Sequence, residues 1–126
     1  MCIRDRFPTG PDAATFGAQW REVQEHARAA GRDPADLTCA IYLTIAVDDD
    51  ADQGAQRIDQ FLESYYGVSA EVLRKRQACF GGPPGAAAEF LQSYAEAGAT
   101  HMVLRFVGDH ERQQEVMARV RQDLGW

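Results

Sequence analysis

The chain has 126 residues, 45% apolar and 25% charged, the profile of one globular domain or part of one. Its 13 Lys and Arg against 19 Asp and Glu leave a net charge of −6. That balance lacks the basic patch a nucleic-acid partner needs and argues against an anionic membrane surface, so no nucleic acid and no membrane are expected as partners.

The first six residues, MCIRDR, have neither a period nor a cap. Written back as codons they can read ATG TGT ATA AGA GAC AG plus one free base, which resembles the end of a transposon-based sequencing adapter. On that reading Met1–Arg6 stands outside the fold and the chain proper begins near Phe7; the competing reading is a short disordered tail. Met1–Gly10 has no apolar signal-peptide core, and no later run reaches the roughly 18 apolar residues of a membrane span.

Phe16, Trp20, Val23, Ala27 and Ala30 mark one face of a helix. Gly31 sits where a helix C′ residue belongs, and Pro34 closes it off. LTCAIYLTIAV, Leu37–Val47, is nearly all apolar and β-branched. Such a run predicts a strand covered on both faces, as in a parallel sheet. Asp48-Asp49-Asp50 follows: a carboxylate cluster for catalysis or metal, or, as the better reading, the N-cap and favourable charge of the next helix.

That helix carries Ala51, Ala55, Ile58, Leu62, Tyr65 and Tyr66 and stops at Gly67. A shorter helix follows Ser69, with Arg74-Lys75-Arg76 as a solvated face. CFGGPPG, Cys79–Gly85, reads as a loop. Ala87, Phe90, Leu91 and Tyr94 mark another helix, ended by Gly98. HMVLRFV, His101–Val107, is a second buried strand, and Gly108-Asp109-His110 turns into a last helix through Val116, Val120 and Leu124.

The expected order is therefore α-β-α-α-β-α, an α/β chain with two parallel buried strands and a weak internal repeat. Two apolar strands alone would leave two rows of unpaired backbone groups. The sheet is thus expected to continue upstream. The alternatives are a complete small α+β binding or dimerisation module and a dimer that completes the sheet. Cys2, Cys39 and Cys79 are odd in number and lie far apart. No disulfide framework or metal site is expected, Cys39 falls within a strand and Cys79 at a helix end, and a reducing, cytoplasmic setting fits.

WREVQEHAR, AAGRDPADL, the first strand with its acidic end, FLESYYG, and FGGPPGAAAEFLQSYAEAGATHMVLRFVGD follow one another in order. This ordered set, Phe7–Trp126, resembles the C-terminal part of a luciferase-like monooxygenase. The resemblance implies a (β/α)8 TIM-type barrel, of which Leu37–Val47 and His101–Val107 would be the last two strands and Phe7–Pro8 would follow the strand before. It implies an oxidoreductase that uses FMN or the deazaflavin coenzyme F-420 on a small organic substrate. A homo-oligomer is compatible with it. It also implies that most of the cofactor site lies upstream and that the chain alone is inactive.

Barrel sites sit at the C-terminal ends of the strands. Arg105 and Phe106 end the second strand and are the candidate cofactor-binding residues; Asp48 follows the first. Arg105 suits a bidentate grip on a phosphate or carboxylate; the bland readings are an ion pair for Arg105 and the core for Phe106. His101 begins its strand, on the stability face. His26, on a helix, and His110, near a helix start, have no Ser or Cys arrangement of a triad. Gly81-Gly82-Pro83-Pro84-Gly85 opens a helix and suits an anion, but it lacks the Lys and Ser/Thr of a P-loop and reads best as a plain βα-loop. Tyr65 and Tyr66 read as helix packing or as a substrate lid. No catalytic residue is assigned.

Overall fold

The structure is a computed structural model that describes residues 11–126 and the backbone of Asp5–Arg6. Of Met1–Arg6, read as standing outside the fold or as a disordered tail, Met1–Arg4 lies outside the described residues, while the Asp5–Arg6 backbone is described and pairs with the next strand; the reading of Phe7–Pro8 also lies outside them. The elements are β1 (Asp5–Arg6), α1 (Ala13–Ala29), a 3₁₀ turn (Pro34–Asp36), β2 (Thr38–Val47), α2 (Ala51–Tyr66), α3 (Ala70–Arg74), β3 (Cys79–Gly82), α4 (Pro84–Glu96), β4 (His101–Phe106) and α5 (His110–Asp123). Among the described residues no helix is long and apolar enough to cross a membrane.

Local chemistry sets most of the boundaries. The Asp12 carboxylate accepts from Thr15 N–H at 2.7 Å and starts α1. Asp50 accepts from Asp52 and Gln53 N–H at 2.9 and 3.2 Å, and Asp109 from Arg112 N–H at 3.1 Å. The acidic run after β2 is therefore a helix start at Asp50. Gly67, at φ +66°, ends α2 in the left-handed conformation that glycine adopts without cost. Pro84 opens α4 at a position that needs no N–H donor.

All strands run parallel, with β2 in the middle. β4 lies along one edge of β2, from Ala40 opposite His101 to Ile45 opposite Phe106. β3 takes the other edge, from Thr44 opposite Cys79 to Val47 opposite Gly82. β1 pairs with Thr38 and Cys39 at the start of β2.

Two expectations are corrected. Cys79–Gly82 is a strand, where the sequence reads as a loop, and Cys79 opens that strand instead of closing a helix. A four-residue run with two glycines has little strand propensity of its own. It is held by pairing with β2 and by α2, which lies almost on its backbone. A Cβ added to Gly54 would come within 2.6 Å of Gly82 N, and one on Gly81 would collide with the Gly54 carbonyl. Nor is β4 buried throughout: His101 and Val103 are exposed, and Met102 and Leu104 beside them are half-buried. Its alternation belongs to a strand with one covered face.

Alternation along β2 divides the core in two. Cys39, Ile41, Leu43 and Ile45 pack with Phe16 and Trp20 of α1, Leu91 and Tyr94 of α4, and Met117 and Val120 of α5. On the opposite face Ala46 packs with Ile58 and Leu62 of α2 and Ala70 and Leu73 of α3. Helices following β2 and β4 therefore lie on opposite faces, with the paired C-terminal strand ends between them. A crevice at the C-terminal ends of parallel strands is where α/β sheets place their ligands.

Candidate functional site

The C-terminal ends of β2 and β4 are tied together by side chains. Gln113 of α5 is buried; its Oε1 accepts from Val47 N–H at 3.1 Å and its Nε2 donates to the Val107 carbonyl. One side chain thus ties the ends of β2 and β4 together. Arg112 reaches Asp49, just beyond β2, at 3.5 Å. Asp48 is engaged twice: its Oδ2 pairs with Arg57 at 3.0 Å and its Oδ1 accepts from Asp50 N–H at 2.9 Å. These contacts give Asp48 a structural role.

Arg105 lies near the C-terminal end of β4, on the face that also carries His101 and Val103. Strand register sets it opposite Thr44, with Tyr42 one alternate position back on β2. Its guanidinium carbon is 4.9 Å from the Tyr42 ring centre, 4.9 Å from Tyr65 and 5.6 Å from Phe61. Nη1 donates to the Tyr66 hydroxyl at 3.4 Å. Three of these rings come from the last turns of α2. Phe61 and Tyr65, one helical turn apart, stack at 5.4 Å and 22°. Tyr66 meets Tyr65 edge-on at 4.8 Å.

None of the ion pairs among the described residues includes Arg105. The bland expectation, an acidic neighbour, is replaced by aromatic faces, which attract a guanidinium through their quadrupoles. Burial works against the charged form, but the Tyr66 hydrogen bond and the surrounding tyrosines outweigh it and raise the pKa above the ordinary arginine value. The group is a permanent cation, and Tyr65, 62% exposed, keeps solvent access beside it.

Phe106 points the other way. It packs on the helix-covered face and lines, with Leu91, Met102, Leu104, Met117 and Trp126, a groove of about 720 Å³ bounded by β4, α4 and α5. Arg105 and Phe106 are thus adjacent in sequence but lie on opposite faces of the sheet. Gly81-Gly82 forms the seat of α2 on β3. His101 is exposed at the start of β4, with Nδ1 3.2 Å from the Thr100 hydroxyl. Among the described residues no three His, Cys, Asp or Glu side chains gather in a metal-binding group.

The aromatic frame escapes a residue-by-residue reading of the sequence. Its signal was the F-x-x-x-Y-Y spacing on α2, which puts three rings at one end of a helix. That these rings meet Arg105 follows only from the pairing of β2 with β4.

No protein-family model and no curated protein matches the chain. Solved structures do. A long-chain alkane monooxygenase (LadA) superposes with a TM-score of 0.71 at 16% identity, over 97% of this chain and 37% of its own. An F420-dependent secondary alcohol dehydrogenase in complex with an F420-acetone adduct gives 0.71 at 16% identity, over 90% of this chain and 40% of its own. The coenzyme F420-dependent tetrahydromethanopterin reductase from Methanopyrus kandleri gives 0.64 at 15%, over 94% and 44%. The chain spans less than half the length of each, and at this identity what it shares with these oxidoreductases is their fold.

Proposed function

We propose that this chain is the C-terminal portion of a luciferase-like oxidoreductase barrel, and that the whole protein uses reduced FMN or the deazaflavin coenzyme F-420 on a small organic substrate. The observation that carries the reading is the fold likeness over 90–97% of this chain to a monooxygenase and an F420-dependent dehydrogenase. The ordered sequence resemblance points the same way. In this reading β2 and β4 are the last two barrel strands.

The cofactor supplies the redox chemistry, and the protein binds and orients it. Arg105 is the residue of this chain proposed to face that chemistry: it sits near the C-terminal end of a strand, charged and without an acidic partner among the described residues. Phe106, on the helix-covered face, supports the barrel wall and is left out of the cofactor role.

The test is expression of the contiguous genomic reading frame beside the 126-residue chain, with reduced FMN and coenzyme F-420 binding followed by fluorescence. The longer product is expected to contain several upstream βα units and to bind one of the two; the short chain is expected to show no turnover. A reading frame without such units, or a long product that binds neither cofactor, would overturn the proposal.

A further inference from the structure

The way Arg105 is held decides what it can still bind. A guanidinium has two faces and an edge. Here the rings of Tyr42, Tyr65 and Phe61 crowd within cation–π range. Such contacts hold the charge without a hydrogen-bond acceptor. Of the five donors of the guanidinium, only one Nη1 N–H meets an acceptor among the described residues, and at 3.4 Å that bond is long. The remaining donors form a fork with no protein acceptor among those residues. The Tyr66 hydroxyl accepts from Arg105, so its own proton is free to be given away. Two donor groups therefore converge beside an exposed ring, Tyr65.

We propose that Arg105 and the Tyr66 hydroxyl form an oxyanion site that takes the carboxylate or phosphate of a planar organic ligand, and that Tyr65 is the platform on which that ligand's ring lies. Two oxygens of a carboxylate or of a phosphate match the guanidinium fork in two parallel bonds. A ring attached to it adds an offset stack on Tyr65. The proposal deepens the oxidoreductase reading and rests on it only for the source of the anion, which is either the cofactor's phosphate or the substrate's own acid group. Tyr65 and Tyr66 become ligand-contacting residues, and Tyr42 and Phe61 positioning residues that fix the guanidinium plane.

The experiment is an NMR titration of the 126-residue chain that follows the Arg105 Nε–H and Tyr66 ring signals. The probes are benzoate, acetate and inorganic phosphate, with uncharged benzamide as control. Benzoate and phosphate are expected to shift both signals saturably, benzamide to leave them in place, and benzoate to bind about threefold more tightly than acetate, as one ring stack allows. Arg105→Gln is expected to weaken benzoate at least about tenfold and Tyr66→Phe about threefold to tenfold, the range for losing hydrogen bonds to a charged group. Benzamide binding as well as benzoate, or affinity unchanged in Arg105→Gln, overturns the site. Should Arg105→Gln fail to fold, Tyr66→Phe keeps the ring and decides: unchanged affinity overturns the proposal.

Two further arms separate the sources. An Arg105 shift with FMN but not with lumiflavin, which lacks the phosphate, assigns the anion to the cofactor. A benzoate shift that persists at saturating FMN assigns it to the substrate. Because benzoate needs no cofactor, failure of flavin binding leaves this site standing, and failure of the site leaves the barrel reading standing.

Discussion

Tyr94 is fully buried at the meeting point of α1 and α4, with Phe16 edge-on at 5.6 Å and Phe90 at 5.1 Å. Its hydroxyl has no partner among the described residues. An unsatisfied buried hydroxyl costs stability where the aromatic ring alone would not, so Tyr94→Phe is expected to be neutral or stabilising by up to about 1 kcal/mol in urea denaturation. Burial pushes the phenol up to about 12 from an ordinary value of 10.0. Below pH 10.0 both folded and unfolded chains keep the proton and its contribution is whole. As pH rises from there, only the unfolded chain releases the proton, and stability falls by roughly 2–3 kcal/mol before the folded phenol titrates near 12. Tyr94→Phe is expected to flatten that alkaline slope; an equal slope in the variant would sink the assignment. The sequence reads Tyr94 as one more apolar position of a helical stripe, which is right about its face and silent about its orphaned hydroxyl.

At the scale of elements, two contacts fix the C-terminal ends of the strands. The first is the seat of α2 on β3. Gly54→Ala would drive a methyl group into backbone that has no rotamer to yield, since the nearest atom, Gly82 N, would be 2.6 Å away. The expected loss is about 1–3 kcal/mol by chemical denaturation, although alanine is the better helix former. A stabilised Gly54→Ala would show that α2 does not lie so close. The second contact is Gln113, which joins Val47 to Val107. Gln113→Leu keeps the volume but strands one buried N–H and one buried carbonyl, at about 2–4 kcal/mol together, and the loss should appear as early amide exchange at the ends of β2 and β4. Neither contact is visible in the sequence. The Gly-Gly pair before Pro-Pro reads as a loop, and Gln113 falls outside the apolar positions that mark its helix. Each takes its role from a partner element far along the chain.

For the whole molecule, the consequence lies along β4. Among the described residues its outer side has no strand partner, and an apolar groove of about 720 Å³ runs beside it. An unpaired edge with an apolar border invites association. The chain is expected to self-associate with rising concentration in sedimentation velocity. Val103→Lys, which sets a charge on an exposed position of that strand, is expected to reduce the association while changing stability by no more than about 0.5 kcal/mol; unaltered association would show that another surface is responsible. The sequence by itself determined the helices, the acidic helix start at Asp48–Asp50, the two long strands and their parallel α/β arrangement, because these rest on periodicity and on side chains bonding to backbone a few residues away. The tertiary structure alone decided the rest. It made a strand of Cys79–Gly82, which only pairing stabilises, and opened one face of β4. It also separated Arg105 from Phe106 across the sheet and closed three α2 rings and Tyr42 around Arg105. All of these depend on which edge of β2 each strand takes, and strand pairing across sixty residues leaves no mark on the local pattern of either partner.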